Sequence, residues 1–494
     1  MASGRWRPKN AEVHTMTITR RVRQAFVFVL LLVANVWPAF YNHQPFFYAD
    51  TTTYLRGADA GFQRFLHRST VWSQDNSTPR ESVSSIRDKT VLSGRSIYYG
   101  VLLYLCDAIG RLWPVVFVQS AVVLVAIALT LHTLALFTWL RFALISLLLA
   151  AFTPMPFFVS FLMPDVFGAI TILAFAALFL DSSRTPLWAT ALWTVLFSAA
   201  LLFHVSHALT GLTLLILCLP AAVFFRLPFS RRGVIAIICS LLVALAGELI
   251  FNAAVKRTVG ESPIRPPLLM ARMIADGPGY RYLSATCPAS GFIVCRFLSR
   301  LPAETDEFVW SPDPDHGVFA VADPATRRAL SNEQYRFARA VFLFDPLGEL
   351  IVFLRDAATQ IIRIGYEEFD YDINRDFIRR RLPLRYYNVM TRTRAWNNSI
   401  PNTFFSVVAI LAICVALAYI AYSLFSRGAL LIDNRRLVFE FIALVCLGII
   451  VNSMVCSMSS THDRFETRVI WLVPLVAMLL YLRPISPVSQ QPAT

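Results

Sequence analysis

Apolar residues in this chain come in long blocks rather than at the three-to-four spacing of a soluble amphipathic helix. Runs such as 25–35, 114–137, 166–180 and 233–255 carry almost no charge. A bilayer core requires roughly 20 apolar residues per helix, and a charge at its centre costs about 2.5–3.5 kcal/mol on insertion scales. The blocks therefore read as membrane spans at 25–42, 114–137, 142–163, 166–180, 187–204, 207–225, 233–255, 402–425, 437–456 and 469–482. This pattern predicts an all-α polytopic membrane protein with about ten transmembrane helices. The joints around Arg141, Asp165 and Ser206 are tight, so some neighbouring helices are expected to be short or broken.

Arginine placement predicts an orientation, because cytoplasmic loops carry an excess of basic residues. With the N-terminus in the cytoplasm, the inside connections hold Arg20, Arg21 and Arg23, then Arg141, Arg184, the group Arg226, Arg231 and Arg232, the group Arg427, Arg435 and Arg436, and Arg483. The loop before the last span, with Arg464 and Arg468, is the exception. The chain then divides into a cytoplasmic tail at 1–24, a transmembrane module at 25–255 that includes a non-cytoplasmic first loop at 43–113, a larger non-cytoplasmic segment at 256–401, C-terminal helices at 402–483 and a cytoplasmic tail at 484–494.

Composition agrees. Of 494 residues, 56% are hydrophobic and 15% charged, so the length is spent on spans rather than on soluble domains. The formal charge of +14 would suit a nucleic-acid partner, but the basic residues are scattered between apolar blocks and only Lys9, Lys89 and Lys256 are lysines. Topology explains the charge better, and no nucleic acid is expected. The first apolar run has no small-residue cleavage site after it, and Trp37-Pro38 stands there instead, so it reads as a span and not as a removable signal.

Two features stand out in the 256–401 segment. Cys287 and Cys295, in CPASGFIVC, suit a disulfide in an oxidising compartment, with two free thiols as the alternative. At 345–364, Asp345-Pro346 has the form of an N-cap followed by proline at the first helical position, and Leu347, Leu350, Ile351, Leu354 and Ile361 share one helical face. Glu349, Arg355 and Asp356 oppose spanning, so an amphipathic helix lying on the membrane surface is expected.

The chain carries no P-loop, HExxH, CxxC pair, GxSxG or dinucleotide fingerprint. Asp370-Tyr371-Asp372 reads as a solvated acidic stretch. Candidate chemistry gathers at the predicted non-cytoplasmic ends of helices. Asp50 lies in FFYADTTTYLRGA, Asp165 in LMPDVFGA, His204 and His207 between the fifth and sixth spans, Arg95 in LSGRSIYYG, and His462, Arg464 and Arg468 in THDRFETR. Each has a plainer reading. Asp165 suits an N-cap, Asp50 a loop carboxylate, the histidines backbone-satisfied interfacial positions, Arg95 a snorkelling side chain, and Arg464 and Arg468 lipid headgroup contacts. Glu248 is an intramembrane carboxylate, functional or structurally paired. Co-location favours chemistry. A carboxylate at the membrane surface can take a proton from an acceptor hydroxyl, and basic side chains can neutralise a leaving lipid phosphate.

These residues in this order resemble the C-type (GT-C) membrane glycosyltransferases, the superfamily of the aminoarabinose and protein O-mannosyl transferases. Asp50-Thr51-Thr52-Thr53-Tyr54 resembles the acidic motif of their first loop, Arg95-Ser96-Ile97-Tyr98-Tyr99 the basic residue that closes it, and Asp165 the second acidic residue at the fourth span. The likeness covers roughly 25–255; Thr51 stands where a paired acidic residue is common, and Ser96 where proline is expected. The resemblance implies a bacterial inner-membrane, inverting transferase with a periplasmic active site and both termini in the cytoplasm. Its donor would be a polyprenyl-phosphate-linked sugar and its acceptor an envelope lipid, glycan or protein. Asp50 would be the catalytic base, Asp165 would assist acceptor or sugar binding, and Arg95 with Lys89 would hold the donor phosphate. Topology adds Tyr54, His204, His207, His462, Arg464 and Arg468 as cavity residues. No motif demands a cofactor, no metal ligand set is assigned, and a divalent metal is left open. Competing readings are a polysaccharide polymerase or ligase, a lipid or glycan transporter or flippase without covalent chemistry, and an assembly scaffold.

Overall fold

The computed structural model describes residues 9–66, 72, 89–180, 185–371, 375–425 and 433–482. Asp372, Arg184, Arg427, Arg483 and the tail 484–494 lie outside the described residues. Every regular element among them is helical: α1 (Lys9–Ala34), α2 (Ala49–Leu66), α3 (Ile97–Gly110), α4 (Trp113–Thr133), α5 (Trp139–Phe152), α6 (Val166–Phe179), α7 (Leu187–Phe203), α8 (Val205–Phe224), α9 (Arg231–Val259), α10 (Leu268–Ala275), α11 (Thr305–Trp310), α12 (Pro324–Phe344), α13 (Pro346–Ile362), α14 (Asn402–Phe425), α15 (Asp433–Ser457), α16 (Asp463–Ile470) and α17 (Leu472–Leu482), with several shorter turns between them.

Among the described residues, six helices are long and apolar enough to cross a membrane: α4, α8, α9, α14, α15 from Arg436 onward, and α16 with α17. Their outward faces are apolar. On α9, Ile235, Leu242, Leu245, Leu249 and Ile250 are exposed, and on α14, Phe404, Leu411, Val415 and Leu417. Rows of this kind with no polar cover belong against hydrocarbon. These are the properties of a polytopic helical membrane protein.

Further apolar helices among the described residues are shorter, and two of them, α6 and α7, keep the expected bounds of 166–180 and 187–204 to within one residue. α3, α5, α6 and α7 are apolar but 14 to 17 residues long, under the roughly 20 that cross a bilayer unaided. The expected first span is divided, because α1 ends at Ala34 and a short helix restarts at Trp37 with Pro38 in its first turn. The expected 142–163 span stops at Phe152, where Pro154 and Pro156 interrupt it. α3 is the apolar half-helix expected after Arg95 and was not among the expected spans, since Asp107 divides its apolar run.

α6 is the centre of the fold. All its residues are buried, packed among α4, α7, α8, α9 and α15, which is why its sequence has no polar face. α9 crosses it closely at Gly233, where an added Cβ would stand 1.7 Å from the Leu178 carbonyl oxygen.

Residues 264–341 build a second, smaller core around Met270, Phe308, Phe319, Phe337 and Val341. This polar unit carries the Cys287–Cys295 disulfide and joins the main body through a bridge between Leu92 and Ile264. α13 is amphipathic as expected, with the Asp345 carboxylate accepting the Gly348 N–H at 2.9 Å. α13 packs lengthwise on α15, its apolar Leu347, Ile351 and Leu354 are exposed, and its polar Glu349, Asp356 and Gln360 are buried. The polar face meets protein rather than water. Glu248 is also not alone, as Arg265 lies 3.3 Å away. Tyr371 is buried, accepting the Phe47 N–H at 2.7 Å, so this part of the expected acidic stretch is not solvated.

Candidate functional site

Four separated segments converge at one end of α6. Asp50 stands in the first turn of α2, and Arg95 in the loop entering α3. Ser96 holds that entry: its hydroxyl accepts from the Tyr98 and Tyr99 N–H groups and donates to the Leu202 carbonyl at 2.6 Å. Arg95 NH2 reaches Asp50 Oδ2 at 2.8 Å, with about a quarter of the arginine side chain exposed. Arg95 is therefore not a snorkelling residue, since its charge meets a carboxylate.

Asp165 occupies the N-cap position of α6 but makes no capping hydrogen bond. Its carboxylate faces two arginines instead. Arg464 Nε lies 3.4 Å from Oδ1 and Arg468 NH1 3.3 Å from the same oxygen, all three side chains being at least nine-tenths buried. Arg464 and Arg468 are four residues apart on α16, hence on one helical face. A carboxylate so deeply buried is stable only when paired in this way. The plain readings of Asp165 as a cap and of the arginines as lipid contacts do not hold.

A second tier fixes Arg468. Its NH2 donates to Asn452 Oδ1 at 3.0 Å and to Ser206 Oγ at 3.2 Å, while Glu466, fully buried, accepts from Ser453 Oγ at 2.5 Å. His204 Nδ1 accepts the Ser206 N–H at the start of α8, a structural capping role. His207 Nδ1 faces the Ala200 carbonyl at 3.0 Å, which places the proton on Nδ1 and leaves Nε2 a bare acceptor. Gly168 makes this approach possible, since a Cβ there would stand 3.2 Å from Arg468 Nε and 3.4 Å from His207 Nε2.

The polar unit and its connection add residues that sequence reasoning missed. Glu368 lies 3.8 Å from Arg464 and 4.0 Å from His462. Asp306 of α11 lies 3.3 Å from His462, and the Arg95 guanidinium sits 5.8 Å from the centre of the Trp310 ring. Burial pushes the Glu368 carboxyl up, against the opposing charge of Arg464. Burial acts on Asp306 in the same sense, but the hydrogen bond and charge of His462 outweigh it and hold that carboxyl below its usual value. Nothing in the sequence around Asp306, Trp310 or Glu368 marks them, since polar residues are ordinary in a long polar segment. Asn452 and Ser453 did carry a signal, as polar residues near the end of an apolar span.

Asp50, Tyr54, Arg95, Asp165, His204, His207, His462, Arg464 and Arg468 thus belong to one region. Lys89 does not join them. It is exposed, and the contact it makes is through its carbonyl, which accepts from Arg328. Several buried polar atoms of the region have no hydrogen-bond partner in the protein: Tyr54 Oη, His207 Nε2, Arg464 NH1, Arg468 Nε and Glu368 Oε2. Most buried side-chain polar atoms have a partner in the protein, and these five, which lack one, are free to meet polar groups from outside it. A cavity of about 30 Å³, lined by Thr185, Trp193, Ser230 and Gly233, lies at the opposite end of α6 and holds none of these residues. Among the described residues no group of three or more His, Cys, Asp or Glu is placed to hold a metal ion. No protein-family model matches this chain, and no curated protein or solved structure matches it.

Proposed function

We propose that this protein is a membrane glycosyltransferase that moves a sugar from a polyprenyl-phosphate donor to an envelope lipid, glycan or protein acceptor on the periplasmic side of a bacterial inner membrane. One observation carries the reading: the partly exposed Asp50–Arg95 pair stands in the same region as the buried Asp165–Arg464–Arg468 cluster, with unpaired polar atoms around them. A proton acceptor and guanidinium groups for a leaving phosphate are what the reaction requires.

In this mechanism the acceptor hydroxyl oxygen bonds to the anomeric carbon, and the bond from that carbon to the phosphate oxygen breaks. The hydroxyl proton passes to Asp50, and the polyprenyl phosphate leaves with the electron pair. Arg95 has two roles. At rest it neutralises Asp50, and an arriving phosphate competes for its bidentate fork, releasing the carboxylate to act as base. Asp165 is too deeply buried to share that task. It positions Arg464 and Arg468, whose charges face the reacting centre.

The test is complementation of a deletion strain with Asp50→Asn, read by mass spectrometry of the envelope glycans. The expected result is loss of one sugar from an otherwise intact acceptor, in the deletion and the variant alike. Normal sugar incorporation by Asp50→Asn overturns the assignment of the base. Accumulation of an intact lipid-linked precursor in the deletion strain selects transport over transfer.

A further inference from the structure

Two polar contacts join the polar unit to the segment that carries Arg464 and Arg468. The first is a charge cluster between α10 and α13. Arg272, 4% exposed, lies 3.1 Å from Asp276 and 3.9 Å from Asp356, and it also pairs with Glu349. Arg355 lies 2.9 Å from Asp356 and 3.9 Å from Asp276. Three carboxylates therefore share two guanidinium groups, and Asp276 and Asp356 are drawn together by contact with the same two arginines. Two carboxylates in such contact cannot both ionise without repulsion, so the cluster is complete with one proton between them. The second contact is His462 with Asp306, at 3.3 Å, an ion pair only while the imidazole is protonated. Glu368 flanks the same ring at 4.0 Å.

α13 connects the two. Its Gln360 exchanges two hydrogen bonds with the His462 backbone, at 2.8 and 3.0 Å. Just beyond its end, Arg363 reaches Asp463 at 2.9 Å. A change at Asp276 and Asp356 therefore has a short rigid route to α16.

We propose that this seam is an acid-closed latch: a proton held by Asp276 against the neighbouring Asp356 carboxylate holds the polar unit down on the site, and loss of that proton loosens it. Burial, then the neighbouring Asp356 carboxylate, push Asp276 up to about 7. A raised carboxyl pKa contributes stability that is complete below its ordinary value of 3.8 and is lost as pH rises through about 7. Within that window one proton changes the opening equilibrium by at most about tenfold per pH unit. The Leu92–Ile264 bridge is made by backbone groups that do not titrate, so the unit loosens and does not detach. The latch is independent of which reaction the site performs.

Hydrogen exchange of the full-length protein in nanodiscs, at pH 5 and 7.5 and corrected for intrinsic exchange rates, tests this. Peptides covering 268–276, 305–310 and 346–362 are expected to lose protection at least about tenfold at pH 7.5, while α6 stays protected at both. Asp276→Asn is expected to remove the difference. Wild-type protection that is equal at the two pH values overturns the latch, whatever the variants do. An undiminished difference in Asp276→Asn, or in Asp356→Asn should the first variant not fold, also overturns it.

Discussion

Arg468 NH1 lies 3.3 Å from Asp165 Oδ1, although 303 positions separate the two residues. The contact ties the start of α6 to α16, and Arg464 meets the same oxygen from one turn away. Removing one partner leaves a charge buried without compensation. Asp165→Asn is therefore expected to lower stability by about 3–5 kcal/mol, whereas Asp50→Asn, which opens a partly exposed pair, is expected to stay within about 1 kcal/mol of wild type. Thermal unfolding in detergent distinguishes them. Equal losses for the two variants would contradict the difference in burial.

Gly168→Ala places a methyl group against Arg468 Nε and His207 Nε2. Overpacking of this kind costs about 1–3 kcal/mol, and here it also displaces the guanidinium. The expected outcome is a modest fall in melting temperature with a larger fall in sugar transfer. A full retention of transfer would show that Arg468 need not hold its position.

Arg95 is assigned to the donor phosphate through its planar fork, which lysine lacks. Arg95→Ala is expected to reduce transfer by about 100-fold or more, with Arg95→Lys retaining a small part of the rate at a raised donor KM. Identical rates for Lys and Ala would leave only a charge-neutralising role toward Asp50.

Gly233→Ala tests the centre of the fold and not the site. Its methyl group would meet the Leu178 carbonyl, so α9 must move away from α6. Loss of melting temperature and of folded yield is expected, of the order of 1–3 kcal/mol or more. An unaffected protein would mean that this helix crossing is loose.

The membrane character of the chain is legible in its sequence, because the bilayer constrains composition directly: a run such as 402–425 has to be apolar along its whole length, and α14 has those bounds. Helix ends are less legible. Pro154 and Pro156 end the 142–163 run early, and α3 hides behind Asp107, because backbone geometry and neighbours decide where an apolar run stops being helix.

The site divides in the same way. Asp50, Arg95, Asp165, Arg464 and Arg468 were visible as charged residues beside apolar runs, where an unpaired charge is too costly to be incidental. Their partners were not visible. That Asp165 faces two arginines and caps nothing, that Glu368 and Asp306 stand around His462, and that Arg272 collects three carboxylates are all long-range choices. Local spacing fixes which residues share a helix face. Only packing between segments hundreds of positions apart decides which charge each of them meets, since Coulomb energy depends on distance in space and sequence records only distance along the chain.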